Sequence, residues 1–156
     1  MKDVVTDRIE KQVLLRAPLA RVWRALVDAQ EFAGWFGLEL DVKGSFTPGT
    51  RVACRPTHPG YEHARFHITI ERVEPQRRFS WRWHPHAIDP SRDYSPEPTT
   101  LVEFTLEEVE GHTRLTVVES GFDAIPLDRR LSAYRGNEDG WSQQMQAIER
   151  HLDRVG

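Results

Sequence analysis

The stretch PLDRRLSAYRGNEDGWSQQMQAIERHL, residues 126–152, decides the fold. In it Tyr134, Asn137, Trp141, Met145, Ile148 and Leu152 recur at three- and four-residue spacing, the period that brings side chains onto one face of an α-helix. Charged and amide side chains fill most other positions, so the segment reads as a long helix, starting near Pro126, with one apolar stripe to cover. Gly136 and Gly140 weaken it locally, because glycine in a helix interior costs about 1 kcal/mol relative to alanine. A helix of this kind at the end of a chain needs a partner surface.

The residues before it supply a sheet. Phe79, Trp81 and Trp83 alternate with Ser80, Arg82 and His84, which puts three large rings on one side of a strand. Phe66, Ile68 and Ile70 alternate with Arg65, His67, Thr69 and Glu71; Val102, Phe104 and Leu106 alternate with Glu103, Thr105 and Glu107. Glu110-Gly111 turns that last strand back into Leu115 and Val117 as a hairpin. Leu38, Leu40 and Val42 open another hairpin, with Pro48-Gly49 as a turn before Arg51 to Arg55. The first strand is Arg8 to Arg16, with Ile9, Val13 and Leu15 on its apolar side.

Between that strand and the rest, Pro18 stands where a first helical residue would, followed by Leu19, Val22, Trp23, Leu26 and Val27 at helical spacing. Asp28 can cap a second short helix carrying Phe32, Trp35 and Phe36, which Gly37 ends. The order is therefore strand, two short helices, six strands and a long helix. An α+β domain over residues 1–156 follows, with a seven-stranded curved antiparallel sheet wrapped around the C-terminal helix. Prolines at 85, 90, 96 and 98 exclude the segment 85–98 from a central strand, so it is a surface loop, either a lid or a tolerated insertion.

Composition narrows the function. With 21 Lys+Arg against 24 Asp+Glu the net charge is -3, which does not suit a nucleic-acid binder. Cys54 is the single cysteine and cannot close an internal disulfide. Met1 to Lys11 carries no apolar leader and no run approaches the ~18 apolar residues of a membrane span, so a cytoplasmic setting is expected.

Taken in order, Ala17-Pro18, Val22-Trp23, Ala25-Leu26, Trp35-Phe36, Phe79-Ser80-Trp81, Thr100 to Leu106, Glu119-Ser120-Gly121-Phe122 and Gly140-Trp141 resemble the activator of heat-shock protein 90 ATPase homologue-like family. That family sits in the START-like (SRPBCC) superfamily of helix-grip folds. The resemblance implies a cavity between sheet and C-terminal helix that in many relatives holds an apolar small molecule. It also implies relatives of several kinds, including cyclase-like enzymes and carriers, and a possible contact with a heat-shock chaperone. The eukaryotic activators carry a further N-terminal domain, whereas about seven residues precede the first strand here, which weakens the chaperone expectation.

Trp35, Phe36, Phe66, Trp81, Trp83, Phe104 and Trp141 are candidate pocket-lining rings, with plain core packing as the alternative. Asn137 and Gln144 share the inward sector of the helix with Trp141 and Met145 and are candidate polar contacts for a small apolar or amphipathic ligand. For an enzyme using the same cavity, a cyclase or hydrolase, the acid/base candidates are His84 and Glu119. Glu119 follows Leu115 and Val117 on one side of its strand, and a salt bridge to Arg77, Arg78 or Arg82 is its simpler explanation. Cys54 reads as a buried small residue; His63, His67, His112 and His151 fall at polar positions and are expected in solvent. No residue pattern requires a cofactor or metal, and the protein is expected to be a monomer or homodimer.

Overall fold

In the computed structural model, which describes residues 7–155, the alternating segments form β1 (Arg8–Leu15), β2 (Leu38–Leu40), β3 (Arg51–Pro56), β4 (Phe66–Glu74), β5 (Arg78–Trp83), β6 (Thr100–Val109) and β7 (His112–Ser120). The helices are α1 (Leu19–Val27), α2 (Ala29–Phe36) and α3 (Leu127–Val155), with a short 3-10 turn over Phe122–Ala124. All seven strands join one antiparallel sheet in the order β1-β7-β6-β5-β4-β3-β2. This is the α+β helix-grip architecture: neighbours in sequence pair in space, and β1 alone crosses over to pair with β7. Residues 1–6, part of the segment expected to carry no leader, lie outside the described residues.

Local chemistry sets the turns. The β6–β7 hairpin closes through Glu110 and Gly111, both at positive φ (51° and 84°), which matches the right-handed twist of the strands. Asp28 accepts a hydrogen bond from the Glu31 amide at 3.2 Å and starts α2; Gly37, at φ 93°, ends it. Pro18 is the residue before α1 and not its first member. The strand expected through Val42 stops at Leu40, because Ser45 bridges to Asp28 and the Phe46 amide donates to the Val27 carbonyl, drawing the chain back onto the α1–α2 junction.

Rings fill the space between sheet and helices. Trp81, 1% exposed, has the rings of Phe32, Phe79, Trp83 and Phe104 at 5.5–5.7 Å, with Phe36 and Trp141 slightly further. Aromatic pairs at such spacings add about 0.5–1.5 kcal/mol each to the area they bury.

At the far end of α3 a charged cluster ties it to α2. His151, expected in solvent, is half-buried with its Nε2 2.7 Å from Glu31 Oε2, an atom also 2.7 Å from Arg21 Nη2. Burial alone would raise the Glu31 pKa, but the hydrogen bonds and charges of His151 and Arg21 outweigh it and hold the carboxyl below its ordinary range. A depressed folded-state pKa stabilises the fold above the ordinary glutamate range, and the benefit disappears as pH falls through the folded value. Glu31→Gln should therefore lower stability by about 1 kcal/mol at pH 6 in urea titrations, allowing for solvent screening, and the difference from wild type should vanish near pH 2.

Candidate ligand cleft

The site begins with a buried acid. Glu119, on the inner face of β7, is 0% exposed and forms no ion pair among the described residues. Four neutral donors surround it. Its Oε1 accepts from Trp141 Nε1 at 2.8 Å and Asn137 Nδ2 at 2.9 Å; its Oε2 accepts from Trp83 Nε1 at 2.8 Å, Thr100 Oγ1 at 2.5 Å and Asn137 Nδ2 at 3.1 Å. A carboxylate only accepts, so a ring of donors is its complement. The elements explain the convergence: Trp83 pairs with Thr100 across β5 and β6, Val102 pairs with Glu119 across β6 and β7, and Asn137 and Trp141 are one turn apart on α3.

The salt bridge expected for Glu119 is absent. Along β5 the odd-numbered rings face inward, so Arg78 and Arg82 stand on the outer face, where they meet Glu103 and Glu71, and Arg77 lies in the turn before β5. The sheet itself separates them from Glu119. Both carboxyl oxygens of Glu119 are thus engaged by donors from β5, β6 and α3 that in turn border the cleft described next. His84 donates from Nε2 to the Glu97 carbonyl at 3.0 Å at the rim.

Beside this hub the packing opens. One cleft of about 120 Å³ lies between Phe36, Trp83, Asn137, Gly140, Trp141 and Gln144. An adjoining cleft of about 180 Å³ shares Phe36, Trp83, Asn137 and Gln144, and reaches Leu38, His58, Ala64, Phe66, His84 and the loop residues His86, Ala87 and Ile88. Six of the expected residues thus meet around one opening: Phe36, Phe66, Trp83, Asn137, Trp141 and Gln144. Trp35, Trp81, Phe104 and Met145 line neither cleft. Trp35 donates its indole N–H to the Ala25 carbonyl at 2.8 Å, and Trp81 and Phe104 lie in the ring-packed core.

Sequence reasoning missed Ala64, Ala87 and Gly140 because small residues carry no chemical flag. The signal available was a glycine pair inside a helix. A Cβ at Gly136 would lie 2.7 Å from the His86 ring, so the helix needs glycine where the loop presses on it, and a Cβ at Gly140 would meet nothing within 4 Å, so glycine there leaves the smaller cleft open.

The proline-rich loop, residues 84–99, is strapped to the start of α3. Arg129 donates from Nη1 to the Pro85 carbonyl and from Nε to Glu97, both at 2.7 Å, and its guanidinium stacks 4.6 Å from the Tyr94 ring centre. His86 is at φ 53°, and burial, then the Arg129 charge, push its pKa below the ordinary histidine value. Neutral His86 therefore forms part of the cleft wall. Among the described residues no group of three or more His, Cys, Asp or Glu could hold a metal ion, and no described helix is long and apolar enough to cross a membrane.

The sequence profile of the family described as "Activator of Hsp90 ATPase homolog 1-like protein" matches residues 16–153. Among solved structures, DynU16, from the dynemicin biosynthetic locus, is 26% identical with a TM-score of 0.70; the match covers 94% of this chain and 47% of DynU16, so this chain spans about half of that protein. Protein MLL2253 from Mesorhizobium loti is 25% identical with a TM-score of 0.74, covering 96% of this chain and 98% of that one. The Aha1 dimer from Colwellia psychrerythraea shares the fold at 15% identity and a TM-score of 0.68, covering 93% of this chain and 95% of that one. None of the curated proteins matches the chain.

Two outcomes test the electrostatic picture. In Glu119→Gln one oxygen becomes an NH₂, and because each carboxylate oxygen holds one indole, either amide orientation sets an N–H against an N–H; the loss should be about 2–3 kcal/mol in denaturant unfolding. Cys54 is buried, and burial pushes its thiol up to about 12, outweighing a lowering by the Ile68 backbone and helped by a smaller raising from the Asp41 charge. It should accordingly stay unreacted with a disulfide reagent at pH 8 until the protein unfolds.

Proposed function

Because this chain belongs to the activator of Hsp90 ATPase homologue 1-like family, we propose that it binds a small apolar or amphipathic molecule in the cleft between the end of the sheet and α3. The observation carrying this reading is the adjoining pair of openings, walled mainly by Phe36, Leu38, Phe66, Trp83, Ile88 and Trp141, with the amides of Asn137 and Gln144 and the rings of His58, His84 and His86 as the polar groups. Apolar walls with a few fixed polar groups are the usual composition of small-molecule sites.

Size and surroundings define the ligand class. A cleft of about 180 Å³ is smaller than the ~300 Å³ at which drug-sized pockets begin, which suits one or two rings or a short alkyl chain. Gln144 donates to the Phe36 carbonyl and Asn137 to Glu119, so their remaining amide capacity is available to orient a ligand without leaving a protein group unpaired. DynU16's place in a biosynthetic locus, a setting of small-molecule chemistry, is in keeping with the reading.

Trp83 and Trp141 make the cleft its own reporter. Titration with 2-naphthol and with 1-hexanol should give a saturable change in tryptophan emission. Gly140→Leu should fill the smaller cleft, weaken that binding at least tenfold, and leave the melting temperature equal or higher, since leucine is the better helix former. No saturable response to either probe, or equal affinity in Gly140→Leu, contradicts the proposal.

A further inference from the structure

On the opposite face of the sheet lies a second concavity, of about 290 Å³ and different chemistry. Register builds it. Arg51 on β3 pairs with Thr69 on β4, and Thr69 pairs with Arg82 on β5, so the three side chains form a row across adjacent strands on the outer face. His67 stands two residues along from Thr69 on the same side, and Arg65 and the loop residue Arg92 complete the walls. Four arginines thus line the groove against one acidic residue, Asp93, in a molecule whose net charge is -3.

This concentration of charge is only partly answered by the protein. Arg82 pairs with Glu71 at 2.9 Å, and Arg92 pairs with Glu97 and Asp128. Arg51 and Arg65 form no ion pair among the described residues. Arg51 Nη2 lies 3.3 Å from His67 Nδ1, and Arg65 donates Nη1 to the carbonyls of Glu62 and Ala64 at 2.7 Å, which leaves its other nitrogens for a partner. Arg51 and Arg82 flank Thr69 from the two neighbouring strands, so an anion seated over Thr69 would have a guanidinium on either side.

The geometry points to an oxyanion-binding site in this groove, with Arg51 and Arg65 as its main partners, taking a phosphate group either on a free small molecule or on a lipid headgroup. Guanidinium groups match such oxyanions in shape, offering paired N–H donors. The hydroxyls of Thr69 and Ser95 in the same groove add neutral donors. The site is separate from the apolar cleft, although Phe66, Trp83, His84 and Ala87 border both.

His67 reports on the groove. Burial and then the Arg51 charge lower its pKa, against a smaller raising by Asp41, and an anion seated beside Arg51 would reverse that lowering. The test is titration of the full chain with inorganic phosphate at constant ionic strength, following the His67 ring and the arginine side chains by NMR. Expected are saturable shifts at His67, Arg51 and Arg65 and a rise in the His67 pKa. The double variant Arg51→Gln/Arg65→Gln, altered only at exposed positions, should bind at least tenfold more weakly, whereas Arg150→Gln on α3 should match wild type. Cosedimentation with phosphatidic acid vesicles but not with phosphatidylcholine, lost in the double variant, assigns the lipid source; phosphate binding without cosedimentation assigns the soluble one. Shifts reproduced by chloride alone, or unchanged in the double variant, overturn the site.

Discussion

A carboxylate sealed from solvent without a cation must be met by hydrogen bonds or it destabilises the fold by several kcal/mol, and the inner end of this structure is arranged around that requirement. Glu119 satisfies it with two indoles, a threonine hydroxyl and an amide drawn from β5, β6 and α3. The hydrogen bonds fix the depth and rotation of α3 over the sheet, which apolar stripes alone leave adjustable by sliding. They also fix Trp83 and Trp141 edge-on to the acid, so the faces of both rings remain to bound a cleft.

What surrounds the hub follows from the same placement. With Trp141 held against the sheet, Gly136 falls beneath His86 and Gly140 falls beside the cleft, and each glycine answers a local need at some cost in helix propensity. The loop carrying His86 is tied down by Arg129 and Glu97, and it walls the apolar cleft on one side and the arginine groove on the other. One segment thereby borders two concavities of opposite character. The Glu31 cluster holds the far end of α3.

The fold was legible because its signals are local. Two-residue alternation with turn chemistry at Pro48-Gly49 and Glu110-Gly111, and the helical spacing from Tyr134 to Leu152, each depend on neighbours within a few positions. The hub was not legible, since Trp83 and Glu119 are 36 residues apart and Asn137 is 18 away on another element. Pairing Glu119 with arginine failed for a reason the alternation itself contains: Arg82 and Trp83 are consecutive on a strand and must face opposite ways. Nor does periodicity separate Trp81 from Trp83, which share a face, one lost in the core and the other at the opening; that depends on where α3 crosses the sheet.

Cleft, hub and loop together describe a grip fold whose interior is packed with rings except where a cleft with mainly apolar walls, two amides and three histidines opens, the feature on which the proposed binding of a small molecule rests. Native mass spectrometry of protein purified gently from its own host, set against the denatured mass, measures this most directly. An occupied cleft predicts a discrete, non-covalent added mass that is absent from the Gly140→Leu variant. A bare chain mass from wild type under the gentlest ionisation, with nothing recovered in organic extracts of the pure protein, would contradict it.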